Sequence, residues 1–463
     1  MKHYDIVIIG SGWGTKLRPA ADKWKKIAII EDTNLWWTCL NRWCIPSKML
    51  IYPADLVTHF KEDYKKLDID FSWKIKINFE ALVKRVNTEI TESSHSIKPV
   101  YEKHENIDLY QWYAKFIENK TVEVNGEKLS ADTIYIATGS KPQIPRIEWL
   151  EGTPYFTSKE ALKNSKLPQK MIVIWWWYIA VELWHFYGAA GTDMHFLVRS
   201  EMIKNEDKDI RAEFTKDFKE RYNLHFWISP TKVEYINNTF FVTVSDKEWN
   251  EEVMESDALF VATGVVPNSK ELGLENTDIQ MNDRWYIKVD DYLETAVKWV
   301  YALWDVVWNY LFRHSVNYEW EYLFAQHYEN QIKTPIKYPP VPHAIFTYPQ
   351  IAGVWVIEDE LIKEWREVWK DYLVGVNYYK DSAMWMAMRP EVGMVKLISD
   401  TSWKLLWAHI IWEKASDIIH MLIVYVSEWF NVEKMIKDMI FIHPALSENI
   451  RNAARKLYAQ VKK

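Results

Sequence analysis

"YDIVIIGSGWGTKLRPAADKWKKIAIIE", residues 4–31, begins with a short apolar β run that closes on Gly10-Ser11-Gly12. A polar, alanine-containing stretch of helical character follows, then a second apolar run, KIAII (26–30), and Glu31. Strand, turn, helix and strand in that order predict a β-α-β unit. The tight turn lets backbone N–H groups and a helix N-terminus meet a pyrophosphate, and an acid 21 residues after Gly10 is placed to take a ribose hydroxyl. Thr15 stands where a complete fingerprint has its third glycine. The strand-turn-helix-strand-acid context still predicts dinucleotide binding.

The pattern returns further along the chain. KMIVI (170–174), the turn Trp175-Trp176-Trp177, the helical run YIAVELWHFYG (178–188) and the strand DMHFLV (193–198) form a second such unit. ADTIYIATGSKP (131–142) and SDALFVATGVVP (256–267) share one frame, x-Asp-x-apolar-x-apolar-Ala-Thr-Gly-x-x-Pro. From about residue 341 short strands (MVKLIS, LLWAHIIW) give way to amphipathic helices expected at 414–429 and 431–439. The predicted fold class is α/β: two Rossmann-like dinucleotide-binding domains, the second inserted after the first, plus a C-terminal α+β domain.

Composition narrows the function. A chain of 463 residues that is 48% hydrophobic and 26% charged reads as a soluble protein of several domains. A net charge of −7 leaves no basic footprint for nucleic acid. No apolar run approaches the ~20 residues that span a bilayer, and no signal peptide is legible, so a cytoplasmic protein is expected. There are only 13 Gly, against about 32 at ordinary usage, and there are 27 Trp. Trp24, Trp249, Trp285 and Trp403 fill turn positions between polar residues and strands, where positive φ usually calls for glycine.

Cys39 and Cys44 are the only cysteines, too few for a disulfide framework, so they are either incidental or catalytic. Residues five apart on an ideal helix have Cα atoms roughly 8–9 Å apart, beyond the ~7 Å that a disulfide tolerates. A bridge between them requires Cys39 in a loop and Cys44 at the start of a helix, whose N-terminus would stabilise a thiolate on Cys44.

The segment TCLNRWCIPSK (38–48) resembles the active-site segment of the class I pyridine nucleotide–disulfide oxidoreductases, which include dihydrolipoamide dehydrogenase and the glutathione, mycothione and mercuric reductases. The paired Ala-Thr-Gly segments, YALWDV (301–306), FTYPQIA (346–352) and HPALSE (443–448) follow in the family's order and spacing. The resemblance implies an FAD-binding domain over 1–148, an NAD(P)-binding domain over 149–270, a central return segment over 271–340 and a dimerisation domain over 341–463. It matches Gly10, Gly12 and Glu31 to FAD pyrophosphate and ribose contacts, and Asp305 to the acid on the flavin ribityl chain. Thr138, Gly139, His314, Ala180, Arg199 and Gly264 are further cofactor-binding positions. Cys44 matches the sulfur against the flavin, Cys39 the outer sulfur that exchanges with substrate, and Lys48 and Glu182 the ion pair beside flavin N5. His443 and Glu448 match the acid–base dyad that reaches the cysteines from the partner subunit of a homodimer, with a dithiol or disulfide substrate and NAD or NADP as second cofactor.

The chain also departs from the family, which has glycine at Trp36, Trp37, Trp43, Trp175, Trp177, Trp184 and Trp304. Indoles at 175 and 177 leave no room for a pyrophosphate, and those at 36 and 37 take space belonging to FAD. An altered scaffold unable to bind FAD is therefore a reading of its own. A mercuric reductase would need a second cysteine pair near the C-terminus, and none is present. Arg199, at the end of the cofactor strand, suits a 2′-phosphate better than a ribose hydroxyl. Dihydrolipoamide dehydrogenase is the expected activity, with an NADPH-dependent glutathione- or mycothione-type reductase as the alternative.

Overall fold

A computed structural model describes residues 1–12, 18–33, 35, 37–70, 74–174, 178–329, 332–354 and 357–460. Trp36, Trp175 and Trp177 lie outside the described residues. The chain forms two compact units.

The first unit holds Met1–Ser47, Val83–Ile144 and Gly264–Tyr338. Its sheet runs in the order Ile107–Tyr110, Ile27–Ile30, Lys2–Ile9, Glu127–Ile136, Thr121–Val124, Ala114–Glu118, with Val300–Ala302 also paired to Glu127–Ile136. The first four of these strands are parallel. A parallel sheet is covered on both faces, which accounts for the unbroken apolar run at its centre. Val7, Ile9, Ala28, Ile30, Ile134 and Ile136 enter one core, while Ile6, Ile8, Ile27, Ile29 and Tyr135 enter the other. Gly10 ends the first strand at φ +101°, and a Cβ there would lie 2.3 Å from the Ala137 carbonyl oxygen. Only glycine allows that approach. The two echoed Ala-Thr-Gly segments run into Ser140–Pro142 and Val265–Pro267, which pair antiparallel with each other.

The second unit holds Lys48–Leu82, Pro145–Thr263 and Pro339–Lys463. A parallel sheet in the order Asn223–Phe226, Asp193–Val198, Lys170–Ile174, Ala258–Val261 carries the second β-α-β unit. An antiparallel five-stranded sheet follows, in the order Pro342–Ile345, Ile351–Val354, Leu405–Ile411, Met394–Asp400, Tyr372–Tyr378. Helices Ala415–Ser427 and Val432–Lys437 are shorter than the periodicity implied, and Glu448–Ala459 adds a further helix after HPALSE. No described helix is long and apolar enough to cross a membrane.

Across the five-stranded sheet His343, Gly353, His409 and Lys396 stand opposite one another on four successive strands. A Cβ on Gly353 would meet the His343 ring at 2.6 Å, so the glycine leaves room for the imidazoles. This basic row faces two adjacent acids: His343 Nε2 lies 2.9 Å from Glu206, and Lys396 Nζ lies 2.8 Å from Asp207. Burial would pull the His343 imidazole down, but the Glu206 carboxylate outweighs it and holds the ring above its ordinary 6.5. Burial would likewise raise Glu206, yet His343 and the Tyr178 hydroxyl hold it below its ordinary 4.5. A raised histidine stabilises fully below its unfolded value, and that contribution is lost as pH rises through the folded one. The expected result is an unfolding midpoint that falls in the parent as pH rises above the ordinary histidine range and changes less in His343→Gln, measured by urea titration at each pH.

Eleven described tryptophans, among them Trp24, Trp249, Trp285, Trp304 and Trp403, take φ between +49° and +77°. Left-handed backbone costs a residue with a Cβ about 1–2 kcal/mol.

Candidate active site

Cys44 is the first residue of helix Cys44–Asp63, as expected. Cys39 differs: it sits in a short helix, Trp37–Asn41, rather than in a loop. The two-residue break at Arg42-Trp43 ends one helix and starts the next, so the cysteines need not share a single helical axis. Both are half-buried. Arg313, the first residue of helix Arg313–Tyr328, donates from Nη1 to the Gly12 carbonyl at 3.3 Å. Burial pulls its guanidinium below the ordinary range, and the sulfurs of Cys39 and Cys44 act against that pull. A cation that interacts electrostatically with both cysteines, with a helix N-terminus under one, favours thiolate. Sequence reading missed Arg313, whose only signal was its place before His314 in the segment FRHS. Arg313→Met is expected to slow cysteine alkylation near pH 7 by about three- to tenfold, as losing a nearby cation disfavours thiolate, followed by mass spectrometry.

In the same unit Glu31 has its carboxylate engaged. Oε2 accepts the Ser11 N–H (2.9 Å) and hydroxyl (2.7 Å), and Oε1 accepts the Thr33 N–H (3.2 Å) and hydroxyl (3.1 Å). Burial first, then Asp32, pushes it up to about 7. Thr138 and Asn268 exchange two hydrogen bonds, the Gly139 carbonyl accepts the Asn268 N–H, and the Gly264 carbonyl accepts the Gln143 N–H. Asp305 accepts from the Ser140 hydroxyl at 2.8 Å, while its Oδ1 is buried with no hydrogen-bond partner. Burial pushes this carboxyl up to about 6. His314 is exposed, its ring stacked on Phe312.

Asp305 Oδ1 suits a ribityl hydroxyl, an acceptor lacking a donor. Gly12 tells the opposite way. The Trp304 indole packs on it, 3.0 Å from where a Cβ would stand, and is itself 5% exposed. The backbone that should approach a pyrophosphate is covered by an aromatic ring. At Gly12 this indole stands against FAD, whereas the unpartnered Asp305 Oδ1 suits it.

In the second unit Lys48, one turn beyond Cys44 on the same helix, pairs with Glu182 of helix Tyr178–Ala190 at 2.6 Å. Glu182 is buried, and its Oε1 accepts the Phe346 N–H at 3.1 Å. The Lys48 ammonium lies 4.2 Å from the centre of the Phe346 ring. Ala180 is buried in that helix, and Arg199 is exposed directly after strand Asp193–Val198. Trp184 is buried against Phe196 at 4.0 Å, and its indole N–H has no acceptor. His443 Nδ1 lies 3.0 Å from both oxygens of Glu448, and Glu448 also accepts the Ala445 N–H at 3.2 Å. Burial would raise Glu448, but these donors hold it below its ordinary value. A carboxylate at Nδ1 favours the tautomer with the proton there, leaving Nε2 as the acceptor nitrogen. No described group of His, Cys, Asp and Glu could hold a metal ion.

Two dinucleotide-type β-α-β units, a cysteine pair at a helix start, a lysine–glutamate pair and a histidine–glutamate dyad define a nucleotide-dependent thiol–disulfide oxidoreductase. The sequence profile of the pyridine nucleotide-disulphide oxidoreductases matches residues 4–327, and that of their dimerisation domain matches 341–454. The chain belongs to this family, whose members use FAD and NAD(P)H. It is 30% identical to mycothione reductase of Mycobacterium tuberculosis over 472 residues, 98% of this chain and 99% of that one. Dihydrolipoyl dehydrogenase of Corynebacterium glutamicum is 27% identical over 471 residues (98% and 97%). Mercuric reductase of Lysinibacillus sphaericus is 30% identical over 446 residues, 94% of this chain and 80% of that enzyme. The HOCl-induced flavoprotein disulfide reductase RclA from Escherichia coli has the same fold, with a TM-score of 0.84 at 22% identity over 99% of this chain and 100% of RclA.

Proposed function

We propose that this chain is a disulfide oxidoreductase of the dihydrolipoamide dehydrogenase type, working as a homodimer in which His443 and Glu448 serve the partner's cysteines. In the oxidised enzyme a substrate thiolate attacks Cys39, the Cys39–Cys44 bond breaks, and its electron pair goes to Cys44. The second substrate thiolate then displaces Cys39, so the substrate leaves as a disulfide and the cysteine pair holds two more electrons. His443 accepts the thiol proton. Bound FAD would supply the link from the reduced cysteine pair to NAD⁺, for a net reaction of dithiol plus NAD⁺ to disulfide plus NADH and a proton, and running it backwards reduces a disulfide. Supporting this reading above all is Cys44 at the start of a helix, with Cys39 five residues before it and Lys48 one turn on paired to Glu182.

Arg199 favours a second reading, an NADPH-dependent reductase of the mycothione or glutathione type, because an arginine at that strand end suits a 2′-phosphate. Trp304 on Gly12 favours a third, a scaffold that takes up no FAD. Purified chain is incubated with FAD, desalted and examined by visible absorption, then assayed with lipoamide, glutathione disulfide and mycothiol disulfide, each with NADH and NADPH. Yellow protein with lipoamide turnover on NADH supports the first reading, and turnover of another disulfide on NADPH the second. Colourless, inactive protein supports the third and overturns the other two.

A further inference from the structure

A second pair, an imidazole–carboxylate contact, lies on the same two helices as Lys48–Glu182. His185 Nε2 and Asp55 Oδ1 are 2.7 Å apart, and the His185 side chain is 2% exposed. Neither atom has a hydrogen-bond partner, so each is the other's polar contact. Asp55 follows Lys48 by seven residues on helix Cys44–Asp63, and His185 follows Glu182 by three on helix Tyr178–Ala190. Both spacings return a side chain to the same helical face. Two side-chain pairs therefore clasp the same two stripes.

One short segment touches both pairs. Phe346 gives its N–H to Glu182 and its ring to the Lys48 ammonium. Two residues on, the Tyr348 ring stacks on His185, centroids 5.6 Å apart and planes 13° from parallel. Tyr348 is held by Arg221 as well: its carbonyl accepts from the guanidinium at 2.8 Å, and that guanidinium lies 4.9 Å from its ring centre. A shift of His185 would move Tyr348, hence Phe346 and the N–H that orients Glu182.

We infer that Asp55 and His185 are positioning residues that fix Glu182, and through it the Lys48 ammonium. Their importance to turnover rests on the disulfide-oxidoreductase reading, but the geometry they impose does not. The test reads Lys48 itself. Purified full-length parent, Asp55→Asn, His185→Phe and Asp55→Glu are treated with an amine-acylating reagent, and Lys48 modification is timed by peptide mass spectrometry. Circular dichroism checks folding, and His185→Phe keeps the stacked ring if Asp55→Asn fails to fold. Acylation of Lys48 is expected to speed up about fivefold in Asp55→Asn and His185→Phe, as loosening a charge-assisted hydrogen bond allows, and to return toward the parent rate in Asp55→Glu. In a Glu182→Gln background, where Lys48 has already lost its partner, Asp55→Asn should add nothing. Parent-like rates in the folded single variants, or an equal added effect in the Glu182→Gln background, overturn the proposal. A parent without disulfide turnover would defeat the functional reading and leave this result standing. Turnover with unmoved lysine rates would defeat this inference alone.

Discussion

Glycine in place of the nine exposed tryptophans with positive φ (24, 149, 227, 249, 285, 299, 365, 369 and 429) is expected to raise the free energy of unfolding. Relief of left-handed strain is worth about 1–2 kcal/mol at each, and the backbone freedom of glycine returns about 0.5–1 kcal/mol of it. These indoles have little packing to lose: Trp24, Trp249 and Trp365 are 83%, 84% and 92% exposed. Three of the nine carry a lysine over the ring, Trp149 with Lys232, Trp227 with Lys247 and Trp285 with Lys270. Each such contact is worth about 0.5–1 kcal/mol at an exposed site. The net gain is roughly 3–6 kcal/mol, large against the ~5–15 kcal/mol by which domains are stable. A urea midpoint that stays put or falls in the ninefold variant refutes the strain argument. Trp304 goes the other way. It has the same backbone strain but is buried, and emptying a large aromatic site costs about 3–5 kcal/mol, so Trp304→Gly destabilises the chain even as it uncovers Gly12.

Under the proposed function, His443→Gln is expected to lower kcat/KM with the disulfide or dithiol substrate by about 10²–10⁴-fold. Glutamine keeps a hydrogen-bonding side chain near Glu448 but cannot take and return a proton near neutral pH. The dyad is local, five residues apart, and the His443 side chain is 68% exposed, so the substitution touches no core. Stability should therefore be unchanged while turnover collapses, which separates a chemical role from a structural one. Steady-state kinetics beside thermal melts check it. A loss under about tenfold would remove His443 as the acid–base residue, since one positioned proton-transfer group contributes more than that.

Much of the fold was legible in the letters because its signals are local. Strand Lys170–Ile174 and strand Asp193–Val198 lie where the apolar runs placed them, and Gly10 stands at a turn where backbone meets backbone. Cys44 opens a helix, and His443 meets Glu448 within one loop and helix start. Lys48 and Glu182, 134 residues apart, were matched only through the family motifs, as was the pairing of His443 with Glu448.

Spacing along the chain does not encode which side chains meet across strands and helices. Glu31 reads as a ribose acid, yet folding turns it onto Ser11 and Thr33. The row His343, Gly353, His409 and Lys396 exists only through strand register, as the clasp of Asp55 on His185 exists only through helix packing. Turn chemistry and apolar period, which are properties of neighbouring residues, laid down the two β-α-β units and the helix that Cys44 opens. Tertiary structure alone decided that Arg313 acts on both cysteines and that Trp304 covers Gly12, because burial and charge act through space between segments brought together only by folding.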